Sequence, residues 1–168
     1  LAPPVMSFGG RFLWDDCGQT PNTQYAVWDS KPIPMTCEIQ NHPRKTGDAA
    51  FDHVRGVRMG MAIECEGGMM AGGWAYDKDG KKIRSFPRDH GTDHMKNFIK
   101  AVRSQKREDL NADILEGQIS SSLCIMANIS YRVGTAMAQE QVRESIQANP
   151  DALRMYEQFS EHIAANGI

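Results

Sequence analysis

Gly56-Val57-Arg58-Met59-Gly60-Met61-Ala62-Ile63-Glu64-Cys65-Glu66-Gly67-Gly68 is the stretch whose reading decides the fold class. Val57, Met59, Met61, Ile63 and Cys65 occupy every second position, the period of a strand with one face buried. Glu66-Gly67-Gly68 then reads as a turn, and residues 69–76 as a returning strand. Asp77-Lys78-Asp79-Gly80 follows as a hairpin turn, in which Asp opens the turn and Gly supplies a positive φ. A last strand is expected at 83–86. Consecutive hairpins imply an antiparallel meander.

Working outward, residues 5–12, 23–29 and 35–40 read as three further strands, separated by polar or proline-containing segments. The polar run 41–52, with Pro43 and Gly47, reads as a loop. Alternate residues Gln24, Ala26 and Trp28 oppose Tyr25 and Val27, so both faces of that strand carry apolar groups and both are expected to be covered. The last third is helical. Asp93 is placed to cap a helix with Met95, Phe98, Ile99 and Val102 on one side. Asn111 is placed to cap a longer helix that reaches Val133 and stops at Gly134. That helix is apolar on most sides and is expected to lie buried across a sheet. A short helix around Val142 and Ile146 precedes Asn149-Pro150-Asp151, which reads as cap, first helical residue and first-turn acid. Strands first and helices afterwards predict an α+β fold, with 1–168 as a single domain.

Bulk properties narrow the partners. A chain of 168 residues can bury about 68–70% of its unfolded surface, enough for a core without staples. A net charge of −2 gives no electrostatic reason to expect nucleic acid or an anionic membrane. No apolar run approaches the roughly 20 residues of a membrane span. Leu1-Ala2-Pro3-Pro4 has neither the basic start nor the apolar stretch of a signal peptide, and the missing initiator Met suggests a chain processed or cut from something longer. The compartment stays open, with cytoplasmic as the default. Cys17, Cys37, Cys65 and Cys124 form no C-x-x-C pair and are expected to be buried free thiols.

The chain carries no G-x-G-x-x-G after a strand and no Walker loop. His90-Gly91-Thr92-Asp93-His94 lacks the Glu of the helical zinc motif, so no metal is assigned, and His94 is expected to stay neutral in a cleft. Lys96, Lys100, Arg103 and Arg107 make a basic stripe, read as a solvated helix face. Arg11, Asp15, Asp16 and Asn22 crowd one loop, where paired acids do acid–base work only if one is buried.

Gly9-Gly10-Arg11-Phe12, Asp15-Asp16 and Thr20-Pro21-Asn22-Thr23-Gln24 resemble the C-terminal domain of the glucose–fructose oxidoreductase / inositol dehydrogenase (Gfo/Idh/MocA) family. Residues 75–81, 97–104, 109–114 and 127–132 extend the resemblance over nearly the whole chain, in order. It implies an open, mostly antiparallel sheet with helices packed on one face. It also implies a parent whose upstream Rossmann domain binds NAD(P), a sugar or polyol substrate lying between the domains, and a homo-oligomer formed through the sheet face. The family's proton-transfer groups lie outside this chain, and similar proteins often carry histidines where this one has Gln118 and Ile125. No catalytic or cofactor-binding residue is therefore assigned, and this chain is expected to bind no cofactor itself. The substrate-cleft candidates are Arg11, Asp16, Asn22 and His94. Arg11 offers a fork of donors to carboxylate or hydroxyls, while Asp16 and Asn22 suit sugar hydroxyls. The alternative is a freestanding binding or assembly module on the same sheet. A compact enzyme using Asp15/Asp16 and His90/His94 ranks last.

Overall fold

The computed structural model describes residues 3–87 and 91–168. It is α+β, and among the described residues seven strands precede four helices. The strands are β1 (Val5–Gly10), β2 (Thr23–Trp28), β3 (Met35–Gln40), β4 (Ala62–Cys65), β5 (Gly68–Ala71), β6 (Trp74–Asp77) and β7 (Lys82–Ser85). The helices are α1 (Thr92–Ser104), α2 (Ile114–Val133), α3 (Gln139–Ile146) and α4 (Pro150–Ala165). Two antiparallel sheets form, β1-β2-β3 and β4-β5-β6-β7. The chain divides into two compact units, 1–51 with 119–168, and 52–118.

The first unit is built around β2, which is buried at every position except the half-buried Gln24. Its register against β1 sets Phe8 opposite Tyr25 and Ser7 opposite Ala26. Tyr25 and Val27 pack with Ile146 of α3 and with Ala152, Met155 and Tyr156 of α4. Ala26 and Trp28, on the other face, pack against Leu123 and Ala127 of α2. Each large apolar side chain buried this way stabilises by about 1.5–3 kcal/mol. Both faces are thus covered, as the composition of β2 predicts. The expectation of helices on a single face is corrected for this sheet. A central strand with apolar residues at odd and even positions needs a layer on each side.

Helix α4 starts as the sequence predicts. Asn149 Oδ1 accepts the Ala152 amide at 3.0 Å, and Pro150 occupies the first turn. Helix α2 does not lie buried. Ala127 is its one buried residue among those described, whereas Ile114, Leu115, Ile119, Ile125, Ile129 and Val133 are exposed. The sheet takes only one stripe of it. Leu123 and Ala127 pack there, Ser130 Oγ donates to the Val5 carbonyl at 3.2 Å, and Gln24 Nε2 donates to the Ala127 carbonyl at 3.3 Å.

The second unit holds the β4–β7 meander, α1 and a 3-10 turn at Arg107–Asp109. The long strand expected from Val57 shrinks to Ala62–Cys65. Gly56 and Gly60 have φ of 75° and 145°, and Val57 makes only a bridge to Val54. The run 69–76 is two strands, because Gly72 and Gly73 at φ 59° and 83° make a two-residue turn. The hairpin at Asp77 forms as predicted. Asp77 Oδ1 accepts the Asp79 and Lys81 amides at 3.0 and 2.8 Å, and the Gly80 amide donates to the Asp77 carbonyl at 3.1 Å.

Two caps differ from expectation. Gly91, not Asp93, caps α1, and Asp93 pairs with Lys96 in the first turn. Asp113, not Asn111, caps α2, its Oδ1 accepting the Leu115 amide at 2.7 Å and the Glu116 amide at 3.2 Å. Asn111 is held instead by Asn97, whose Oδ1 accepts the Asn111 amide at 3.0 Å. The four cysteines are free, but they are exposed rather than buried. They sit in a loop, on edge strand β3, at the end of β4 and on α2. Partial burial pushes the Cys37 thiol up, and Cys37, opposite Ala26, is close enough to Cys124 for the two thiols to interact. Among the described residues no helix is long and apolar enough to cross a membrane.

Candidate functional site

The segment from Gly9 to Asn22 carries the end of β1 round to β2, and its two ends are pinned by close approach and by one amide. A Cβ on Gly9 would lie 2.3 Å from the Thr23 carbonyl oxygen, so only glycine lets the two strands meet there. The Asn22 amide donates to the Gly10 carbonyl at 3.0 Å, continuing the ladder. The buried Asn22 side chain then closes the loop as a second backbone would. Its Nδ2 donates to the Phe12 carbonyl at 2.8 Å, and its Oδ1 accepts the Phe12 amide at 3.1 Å. Phe12 rests on Phe159 of α4, ring centroids 6.2 Å apart, which ties the loop to the first unit's core.

Arg11 lies across the inside of this loop. Its Nε donates to Asp16 Oδ1 at 2.7 Å, a second nitrogen donates to Asp16 Oδ2, and the third reaches the Thr20 carbonyl at 3.1 Å. Gly18 leaves room for the guanidinium, since a Cβ there would lie 2.2 Å from Arg11 Cζ. The Gly18 amide also donates to Asp16 Oδ1 at 2.7 Å. Arg11 first, and then that amide, hold the Asp16 carboxyl below the usual carboxylate range. Asp16 is therefore an ionised acceptor at neutral pH, poorly suited to general acid–base work. The bidentate pair with Asp16 and the bond to the Thr20 carbonyl together engage three of the five guanidinium N–H groups.

Beneath the loop lies a histidine that nothing in the sequence marks out. His42, in the polar run after β3, is 1% exposed. Its Nε2 lies 3.3 Å from Asn22 Oδ1, already the acceptor of the Phe12 amide. Trp14 stacks on the imidazole with ring centroids 4.7 Å apart and 26° between planes, and stays 47% exposed itself. Leu13, just before it, has φ 66°, the left-handed region that a branched residue enters only under constraint. His162 of α4 stands 6.4 Å from His42, centroid to centroid.

Of the four cleft candidates, Arg11, Asp16 and Asn22 come together in this one loop. Their first duties there are to each other and to Phe12, Gly18 and Thr20. His94 lies in the second unit, exposed in the first turn of α1, and His90 falls outside the described residues. Among the described residues no group of three or more His, Cys, Asp or Glu is placed to hold a metal ion. The basic stripe is largely paired with acids: Lys96 with Asp93, Lys100 with Asp109 and Arg107 with Asp113. Arg107 belongs to the 3-10 turn rather than to α1.

No family model matches the chain, and no curated protein or solved structure matches it either.

Proposed function

We propose that this chain is the C-terminal substrate-binding and oligomerisation domain of an NAD(P)-dependent oxidoreductase resembling the Gfo/Idh/MocA family. In this reading it acts on a sugar, polyol or derivative and is not catalytic alone. The upstream Rossmann domain of the parent supplies the cofactor. The observation that carries the reading is the Gly9–Asn22 loop. Its resembling residues fold into one prestructured turn, with the Arg11–Asp16 pair at 26% and 49% side-chain exposure. A fork of donors beside an ionised acceptor, held rigid by surrounding bonds, suits a polyhydroxylated ligand.

Isothermal titration of this chain with NAD⁺ and NADP⁺ tests the reading. No binding heat is expected, and binding at about micromolar Kd overturns it.

A second reading, a freestanding assembly module, draws on a different observation. Met95, Phe98, Ile99 and Val102 of α1 and Ile63, Met70 and Ile83 of the meander are all exposed. Apolar surface on this scale marks interaction sites. It serves the oligomerisation half of the first reading equally, so the cofactor titration, run on the longer parent as well, separates the two.

A further inference from the structure

His42 and His162 belong to no step of the proposed binding reaction, yet they are buried side by side where the binding loop, the segment after β3 and the end of α4 converge. The segment 42–46 is stitched to the last turn of α4. Asn166 Nδ2 donates to the Pro43 carbonyl at 3.0 Å, Thr46 Oγ1 donates to the Asn166 carbonyl at 3.0 Å, and the Thr46 amide donates to the Ala165 carbonyl at 3.2 Å. On its other side His42 bears the loop, through Asn22 Oδ1 and through the Trp14 ring.

Since Asn22 Oδ1 is an acceptor, His42 Nε2 must carry the proton. Nδ1 is then an unprotonated lone pair. It is buried, and it has no hydrogen-bond partner among the described residues. A second proton could land only there, creating a buried cation without an acceptor, with another imidazole 6.4 Å away. We propose that the His42 imidazole is a pH-sensitive clasp: neutral, it holds the Trp14–Asn22 loop and the end of α4 together, and protonated, it releases both.

The charged neighbours do not offset this. Arg11 and Asp16 on the loop side are bound to each other, as are Arg44 and Asp48 on the segment that follows His42. Among the described residues, His162 of α4 is the titratable group that acts on His42. Trp14 works the other way, because an aromatic face attracts a cation. Burial without a partner is the larger effect, and it holds His42 below the ordinary histidine value, with His162 adding to it. The sign follows from linkage. The unfolded chain takes up the His42 proton first as pH falls. The clasp therefore contributes fully above the unfolded value of about 6.5 and is lost progressively as pH drops from there through the folded value. The clasp acts whether or not the loop binds a polyol, so its test uses no ligand.

The test is hydrogen exchange with mass spectrometry on the full chain from about pH 7.5 to about pH 5, corrected for intrinsic rates. It compares wild type with His42→Gln, whose amide keeps the donor to Asn22 without the titration. Wild type should lose about tenfold protection in 10–22, 42–46 and 160–166 together at the acid end, while His42→Gln stays nearly flat. Equal slopes in the two proteins overturn the proposal. If His42→Gln does not fold, histidine NMR on wild type decides. His42 must titrate below the ordinary imidazole value of about 6.5, with the Trp14 indole resonance moving at the same midpoint. Titration of His42 at or above that ordinary value, or an unmoved Trp14, overturns it.

Discussion

The two compact units use their apolar residues in opposite ways. In the first, β2 is sandwiched by α3 and α4 on one face and by α2 on the other, and Tyr25, Val27, Ala152 and Met155 are almost completely buried. In the second, Ala71 is buried, but Met59, Met61 and Ile83 are 86%, 69% and 64% exposed. Period-2 or period-3.6 apolar patterning forms the element in both cases. Burial also requires a partner layer within reach, and only the first unit supplies one on each face. The well-packed unit is the one that carries the prestructured loop, in keeping with binding groups set on a rigid scaffold.

Substitutions grade this contrast. Met155→Ala opens a cavity in the first unit's core and should cost about 2–5 kcal/mol in urea unfolding. A cost near zero would mean that the core lies elsewhere. Asn22→Ala leaves the Phe12 amide and carbonyl without their partner and should cost about 1–3 kcal/mol. Amide exchange at Phe12 should rise with it, and unchanged exchange there would break the link between Asn22 and loop order. Ile83→Ala in the second unit should change stability by less than about 0.5 kcal/mol, as exposed substitutions do. A larger loss at low protein concentration would show that Ile83 is covered in solution. A loss that grows with concentration would place it at a contact between copies.

Much of the first unit was legible in the sequence. Strand β3 runs over 35–40 as the spacing predicts, β2 is one residue shorter than expected, and Asn149-Pro150 sets the start of α4. These features depend on local chemistry: a period, a cap, a turn residue. What the sequence hid depends on contacts distant along the chain. Asn111 and Asp113 are both competent caps, and the choice fell to Asp113 because Asn97 had already engaged Asn111. The alternation from Val57 to Cys65 is a real pattern, but positive φ at Gly56 and Gly60 breaks the first half of it. The candidate site was half legible. Arg11, Asp16 and Asn22 share a loop, as their proximity suggests, while His42 and His162 carry no local signal because 120 residues separate them.

The proposed binding element is the Gly9–Asn22 loop, with no part in ligand recognition for the second unit. An amide NMR titration of this chain with a series of polyols tests that most directly. Shifts should centre on Arg11, Phe12, Gly18 and Asn22, saturate with increasing ligand, and disappear in Arg11→Ala. Shifts centred on α1 and His94, or none in the loop up to the solubility limit of the polyols, would contradict it.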